Sequence, residues 1–342
     1  MSDQIPDNPI ELWQEYHSGI PDSTMNNKLS ALGRFNEWLN DNSTADNVLN
    51  VKLIDVQNWL VHLYQTEELA GSTVNQYHNE LRGFYNAWIN DGSNRSLLAE
   101  QEYELSENPA SFNLSEYLNF SKTTKKQNYA DNNQGIIHVK PSEVRKLRAS
   151  VESVRDELLI KLLHQTGLRR SEVSALKLPQ HKSGSHIDTE NKQVVISEAD
   201  SKTDNGGRTV PYQDLEPELT MWLNQGFRNR HCYADDSPYL FLTKQTPSIS
   251  PNTISRIIRE AADDAGIQEI YGTDADGNPK RRITAHSLRS AFVIQLFDAG
   301  LPSPKVMELS GHNQLETVES YANVLDDNAI SAYRDADIDF EA

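Results

Sequence analysis

The sequence has a single cysteine, no long apolar run and fewer basic than acidic residues. Cys232 is the one cysteine among 342 residues, which excludes an internal disulfide framework and a cysteine-based metal site. No apolar run approaches the ~20 residues of a membrane-spanning helix. Residues 1–8 are polar and acidic and do not have the pattern of a signal peptide. We therefore expect a cytoplasmic protein that does not contact a membrane.

Acidic side chains outnumber basic ones by 50 to 32, which gives a net charge of −18 at pH 7. Nucleic acids are usually bound by basic domains, because Lys and Arg neutralise phosphates. Net charge governs solubility and does not describe local patches, so an acidic surface is compatible with a basic groove. Acidic surfaces are also typical of proteins from a high-salt cytoplasm. A halophilic origin and an ordinary acidic protein both stay open.

The length is sufficient for two domains that each bury a core. Apolar residues recur at helical spacing in residues 25–39, 56–63 and 74–88, and a further helix is expected near residues 9–17. Residues 108–139 are rich in Asn, Ser and Thr. We predict a helical domain over residues 1–113, a linker over 114–139 and a second domain over 140–342.

The second domain combines helices with a small sheet. Helical spacing returns after Pro141, and two further helices over residues 252–265 and 286–299 end at Gly266 and Gly300. Residues 194–196 and 209–210 have the pattern of short strands around a polar loop, which predicts a β-hairpin; residues 239–242 are a candidate extended segment. The fold class is therefore predicted as mainly α with a small β-sheet.

Five side chains suggest a chemistry when they are taken together: Arg169, His286, Arg289, His312 and Tyr321. Cleaving a phosphodiester requires fixed cations where negative charge develops, and arginine binds phosphate with a planar fork. A tyrosine phenol is a possible nucleophile, provided that nearby cations and a proton acceptor activate it. His286 precedes Arg289 by three residues, so both lie on one face of a helix.

The segments Thr166-Gly-Leu-Arg-Arg-Ser-Glu172, His286-Ser-Leu-Arg289 and Leu309-Ser-Gly-His312, followed by Tyr321, resemble the tyrosine recombinases of the phage integrase family. The resemblance implies an N-terminal helical core-binding (SAM-like) domain and a C-terminal α+β tyrosine-recombinase catalytic domain.

The same resemblance implies the roles of the residues. Arg169 and Arg289 would clamp the scissile phosphate, His286 would assist proton transfer and His312 would donate a hydrogen bond. Tyr321 would attack and form a 3′-phosphotyrosyl link without metal, cofactor or ATP, while Lys202 in the hairpin would protonate the leaving 5′-oxygen.

The sequence departs from the family pattern at Ser290, where many members carry His or Arg, and at Ser310, where leucine is common. Arg170 is an alternative clamp, and Tyr333 in the acidic tail is an alternative nucleophile. Glu172 is interpreted as a structural carboxylate.

The expected partner is double-stranded DNA, bound by a homotetramer. Candidate DNA-binding residues are Lys122, Lys125 and Lys126 in the linker, Arg208 in the hairpin, and Lys28, Arg34 and Arg82 on the N-terminal helices. The lysine-bearing linker is also compatible with a solvated segment that binds nothing. The alternative functions are a catalytically silent DNA-binding or regulatory protein on the same scaffold and, among enzymes, a type IB topoisomerase.

Overall fold

A computed structural model describes residues 8–20, 22–45, 47–89, 105–118, 136–201, 206–273 and 278–322. These residues divide into two compact units. The N-terminal unit lies within residues 8–118, and the C-terminal unit is formed by residues 136–273 and 279–322.

The N-terminal unit consists of helices around an aromatic core. Its helices are α1 (Pro9–Tyr16), α2 (Asp22–Asn42), α3 (Leu53–Val61, continued by a π-helical turn over His62–Thr66), α4 (Gly71–Asn86) and the short α5 (Leu114–Tyr117). Phe35, Trp59, Phe84 and Trp88 are among the largest side chains in its core, and each is at most 1% exposed. The apolar stripes of the sequence therefore form a bundle core, as predicted.

Local signals account for some of the helix starts in this unit. Pro9 occupies the first turn of α1, and the Asn8 side chain accepts a hydrogen bond from the backbone N–H of Glu11. Helix α4 begins at Gly71 after Ala70. Ser72 therefore lies inside the helix and does not cap it.

The C-terminal unit contains eight of the helices in the described part of the chain and two small sheets. The helices are α6 (Pro141–Ser150), α7 (Val154–Thr166), α8 (Arg170–Ala175), α9 (Glu216–Leu219, continued by a π-helical turn over Thr220–Asn224), α10 (Pro251–Asp264), α11 (Ala285–Asp298), α12 (Ser303–Ser310) and α13 (Leu315–Ala322). The strands are β1 (His186–Asp188), β2 (Gln193–Ile196), β3 (Arg208–Pro211), β4 (Ile270–Thr273) and β5 (Pro279–Arg281). The mainly α fold with small sheets is thus confirmed.

The predicted hairpin is the pair β2–β3, in which Val194 lies opposite Val210 in antiparallel register. Strand β1 extends it to three strands, and β4 and β5 form a separate two-stranded sheet. Neither strand β1 nor the β4–β5 sheet was predicted, because strands of three or four residues are too short to show a recognisable alternation of apolar and polar residues. The candidate segment 239–242 contributes an isolated bridge between Tyr239 and Lys177 rather than a strand.

Helices α7 and α11 make the most extensive contact between two helices of this unit. Residues Leu158, Leu159, Leu162 and Leu163 of α7 are fully buried, and the residue that caps the end of α7, Gly167, has a φ of +57°. A Cβ at Gly167 would lie 2.2 Å from the Phe292 ring of α11. Because only glycine combines this left-handed turn with so close an approach, the chain after α7 turns back towards α11.

The predicted linker overlaps both cores at its ends. Leu114 and Leu118 are buried in the N-terminal core, and Val139 is buried in the C-terminal core. Residues 119–135 lie outside the described part of the chain, so the exact domain boundaries stay a prediction. The buried contacts of Leu118 and Val139 limit the linker to the residues between these two positions. Among the helices that the structure describes, none has the length and apolar character needed to cross a membrane.

Candidate active site

Arg169 begins a helix and reaches across the C-terminal unit. It is the N-cap residue of α8, directly after the turn at Gly167. Its Nη2 donates to the backbone oxygen of Gly311 at 2.6 Å, and its Nη1 donates to Oε1 of Glu172 at 3.0 Å. The Arg169 side chain is 25% exposed. One guanidinium therefore ties the turn after α7 to the turn after α12.

Glu172 is a fully buried carboxylate with four hydrogen-bond donors. Oε1 accepts from Nη1 of Arg169 (3.0 Å) and of Arg208 (2.9 Å). Oε2 accepts from the backbone N–H of Arg169 (2.8 Å) and from Nη2 of Arg208 (2.7 Å). Burial raises the pKa of this carboxyl, but the hydrogen bonds and charges of Arg208 and Arg169 outweigh burial, so its pKa lies below the ordinary value. Glu172 is thus ionised and fully satisfied.

Arg289 lies on α11, which the Thr284 side chain caps by accepting from the backbone N–H of Ser287. Arg289 is 3% exposed, and its Nη1 donates to the backbone oxygen of Gly167 at 2.7 Å. Burial, followed by the charge of Arg169, lowers its pKa to about 9. This guanidinium is therefore a buried cation that lies near a second cation, Arg169.

His312 follows the left-handed turn at Gly311, whose φ is +67°. Its Nε2 lies 3.4 Å from Nη2 of Arg289, and its Nδ1 lies 2.8 Å from Oγ of Ser310. Burial and then the charges of Arg289, Arg169, His286 and Arg208 lower the pKa of His312 to about 3. The imidazole is accordingly neutral at physiological pH.

Tyr321 lies on α13 in the same cluster. It is 5% exposed, and its ring centroid is 5.9 Å from that of His312. Its phenolic oxygen is 3.5 Å from Oγ of the buried Ser290, which also donates to the backbone oxygen of His286 at 3.2 Å. The phenol, the two imidazole-bearing segments and Arg289 therefore meet within one unit of the chain.

The local charge of this cluster is opposite to that of the whole chain. Arg169, Arg208 and Arg289 converge on one site, and Glu172 is the carboxylate that pairs with the first two. The net charge of −18 therefore coexists with a site that has an excess of positive charge. Such a site is suited to bind an anion.

The other predicted residues differ from these in their exposure and in their partners. His286 is exposed at the start of α11. Arg170 is exposed and donates to Ser255 at 2.7 Å, so Arg169, not its neighbour, lies beside Arg289. The side chain of Arg208, which was predicted to contact DNA, is only 7% exposed and is bound to Glu172, so a direct phosphate contact would first require that pair to open.

Several predicted residues lie outside the described part of the chain: Lys122, Lys125, Lys126, Lys202 and Tyr333. On the N-terminal unit, Lys28 is paired with Glu80 and Arg34 is paired with Glu67. Arg82 donates to Asn79 at 3.1 Å on the exposed side of α4.

Two buried serines contact the cluster in ways that the sequence did not reveal. Ser290 lies against the phenol of Tyr321, and Ser310 lies against His312; both are fully buried. One feature of the sequence could have identified them. Ser290 follows Arg289, Ser310 lies two residues before His312, and both serines depart from the family pattern at these positions. The described residues contain no group of three or more His, Cys, Asp or Glu side chains that could hold a metal ion.

Two curated relatives match the C-terminal part of the chain. Tyrosine recombinase XerA of Pyrococcus furiosus is 32% identical over 188 residues, which cover 53% of this chain and 55% of the relative. Tyrosine recombinase XerC of Corynebacterium glutamicum is 27% identical over 186 residues, 54% of this chain and 52% of the relative. The chain thus spans about half the length of these relatives.

Solved structures resemble the fold at low sequence identity. The Tn1549 transposon integrase, in complex with transposon right end DNA, has a TM-score of 0.63 at 16% identity and covers 95% of this chain and 96% of that chain. A lambda integrase dimer bound to a core site has a TM-score of 0.59 at 13% identity, over 94% of this chain and 77% of that chain. These likenesses concern the fold alone.

The sequence profile of the phage integrase family matches residues 138–328, which is more than half of the chain and includes every described member of the cluster. The chain therefore belongs to the phage integrase family of tyrosine recombinases.

Proposed function

We propose that this protein is a site-specific recombinase that cuts and rejoins double-stranded DNA in the cytoplasm through a covalent phosphotyrosyl intermediate. The observation that carries the proposal is the position of the Tyr321 phenol in one buried cluster with His312, Arg289 and Arg169. A phosphodiester bound there would supply the negative charge that the arginines lack.

The electrostatics support binding of a phosphate before chemistry. Arg289 has a lowered pKa because it is buried beside Arg169, and Glu172 is already occupied by four donors. An incoming phosphate relieves this repulsion without displacing an existing carboxylate partner. The donors are held in place before the substrate arrives, which is the condition under which electrostatic stabilisation of a transition state is large.

In the proposed reaction, the phenolic oxygen of Tyr321 forms a bond to phosphorus and the bond from phosphorus to the 5′-oxygen breaks. His286 assists removal of the phenolic proton, and Lys202 protonates the leaving oxygen. The result is a 3′-phosphotyrosyl link and a free 5′-hydroxyl. Attack by a 5′-hydroxyl of another strand reverses these steps, so neither a metal nor ATP enters the scheme.

Trapping the covalent intermediate tests this function. The full chain is produced in cells, protein–DNA adducts are isolated under denaturing conditions, and the attached DNA ends are sequenced. We expect ends at recurrent sites, each linked through a 3′-phosphate to a peptide that contains Tyr321. The matched variant Tyr321→Phe removes one oxygen atom and should abolish the adduct.

Each alternative has its own outcome in this experiment. DNA binding without any adduct in the unaltered chain indicates a catalytically silent binding protein and overturns the proposal. An adduct that survives in Tyr321→Phe but disappears in Tyr333→Phe moves the nucleophile to the acidic tail. Cleavage at sites without a common sequence favours a topoisomerase.

We further propose that the protein acts on DNA as a homotetramer, with the C-terminal segment as the link between copies. Residues 323–342 contain six carboxylates and one arginine, together with apolar side chains such as Ile330 and Tyr333. A cavity of about 540 Å³ on the C-terminal unit combines apolar Val144 and Phe292 with basic residues, among them Arg145. Charge and hydrophobicity both make this cavity a suitable acceptor for the segment of a neighbouring copy.

Truncation after Val324 tests the assembly separately from cleavage. We expect the truncated chain to bind one DNA site but to lose the tetrameric complex in native mass spectrometry, whereas Arg145→Glu should weaken assembly in the full-length chain. An unchanged tetramer after truncation contradicts this role of the segment.

A further inference from the structure

Ser310 connects His312 to the end of helix α12, and the proposed reaction gives it no role. Ser310 is the last residue of α12 and is fully buried. Its Oγ lies 2.8 Å from Nδ1 of His312 and 3.4 Å from the backbone oxygen of Met307. On the other side of the ring, Nε2 faces Nη2 of Arg289 at 3.4 Å. The imidazole thus lies between a hydroxyl group, which can donate or accept, and a guanidinium, which can only donate.

The hydrogen-bond partners of His312 determine which of its two ring nitrogens carries the proton in the free enzyme. Because Arg289 has no acceptor, the Nε2 that faces it must accept. A neutral imidazole has one N–H, which is then on Nδ1 and donates to Oγ of Ser310. The hydroxyl of Ser310 in turn donates to the oxygen of Met307. The lowered pKa of His312 agrees with a neutral ring.

This chain of hydrogen bonds is readily reversed. The oxygen of Met307 already accepts from the backbone N–H of Gly311 at 2.8 Å and of His312 at 3.3 Å. Its bond to the Ser310 hydroxyl is therefore the weakest of three and geometrically long. If the hydroxyl rotates towards Nδ1 instead, the short 2.8 Å contact is kept with the opposite polarity, and Nε2 carries the proton.

We propose that Ser310 is a positioning residue that sets the tautomer of His312. In the free enzyme it accepts from Nδ1–H. When an anion occupies the arginine site and engages Arg289, Nδ1 releases its proton to solvent, Nε2 takes a proton from solvent, and the Ser310 hydroxyl donates to Nδ1. The ring stays neutral, and Nε2–H is available to donate to the anion. The inference deepens the proposed function, since the anion of the reaction is the scissile phosphate. Leucine at this position has no hydroxyl and cannot perform this exchange.

Imidazole ¹⁵N NMR of the full chain tests the tautomer without DNA. The His312 signals are assigned with His312→Gln, and inorganic phosphate serves as the anion. We expect Nδ1–H in the free protein and a shift towards Nε2–H as phosphate is added. In Ser310→Ala the free ring should lose the Nδ1–H preference and respond less to phosphate, and Ser310→Thr, which keeps a hydroxyl, should restore both features.

Ser320→Ala is the matched control. Its hydroxyl also donates to the backbone oxygen three residues earlier, that of Thr317 at 2.7 Å, but it is exposed on α13 and is not among the contacts of His312. It should leave the tautomer unchanged. In adduct formation, Ser310→Ala should be about tenfold slower than the unaltered chain, which corresponds to the loss of one hydrogen bond, whereas Ser320→Ala should be unaffected.

The outcomes separate this inference from the function. Nε2–H in the free protein, or a phosphate response that is equal in Ser310→Ala and the unaltered chain, overturns the role of Ser310 even if DNA is cleaved. A tautomer change that depends on Ser310 in a chain that forms no DNA adduct supports the role of Ser310 and rejects the recombinase.

Discussion

Replacing Glu172 by glutamine should destabilise the C-terminal unit far more than the loss of one charge at the surface. Both carboxylate oxygens accept two hydrogen bonds each, from Arg169 and Arg208. In either orientation of the glutamine amide, an NH₂ group therefore faces two donors. Arg208, which is 7% exposed, loses its ionic partner in a site that already contains Arg289.

The expected cost follows from breaking a buried pair by removing one partner. Such changes cost about 3–5 kcal/mol, because a buried charge is left without compensation. Glu172→Gln should therefore lower the free energy of unfolding of the C-terminal unit by roughly that amount. Glu260→Gln is the control: Glu260 pairs with Arg256 on α10, both side chains are more than half exposed, and the loss should stay below about 1 kcal/mol.

The assay must report on the C-terminal unit by itself. Hydrogen exchange of the α7 amides (Val154–Thr166), followed by mass spectrometry at increasing urea concentrations, measures opening of that unit. If Glu172→Gln costs no more than Glu260→Gln, the buried ion pairs do not stabilise the site and the account of its electrostatics is wrong. The double variant Glu172→Gln with Arg208→Met should recover part of the loss, since it removes the uncompensated charge.

Two further predictions concern the turn after α12 and the imidazole that follows it. Gly311→Ala should be more destabilising than Gly266→Ala: both glycines have a similar positive φ, but a Cβ at Gly311 would lie 2.7 Å from Cζ of Arg208, whereas the surroundings of Gly266 are open. Urea unfolding of both variants separates the clash from the shared conformational strain of ~1 kcal/mol, and equal losses would show that Arg208 yields freely. For His312, the folded-state pKa of about 3 lies below the ordinary 6.5, so the unfolded chain binds a proton first and stability falls as pH drops from about 6.5 towards 3. Between pH 7 and pH 5 this contributes at most about 2 kcal/mol, reduced by solvent screening. The contribution should be missing from His312→Gln; parallel pH profiles of the two proteins would show that folding does not lower the pKa of His312.

Local patterns predicted most of the helices. The apolar spacing of residues 25–39 and 56–63 and the glycines at positions 266 and 300 mark elements that the structure contains. Short strands such as β1 and β4 were missed, since their pairing partners rather than their own residues hold them. The linker was placed by composition, which does not show that Leu114 packs in the N-terminal core.

The sequence by itself determined the family and the residue types of the site. Two arginines, two histidines and a tyrosine occur in a recognisable order, and the motif spacing is a property of the chain that needs no coordinates. Chemistry of a side chain is intrinsic, so the candidates for phosphate binding and nucleophilic attack could be named in advance.

Only the tertiary structure decided how these residues act on one another. Arg208 and Glu172 lie 36 residues apart, yet they form the ion pair that holds Arg169, and Ser310 acquires its significance from the orientation of one imidazole. Charge, pKa and tautomer depend on burial and on neighbours within a few ångströms. Those neighbours come from segments that approach one another only after α7, α11 and α12 have packed.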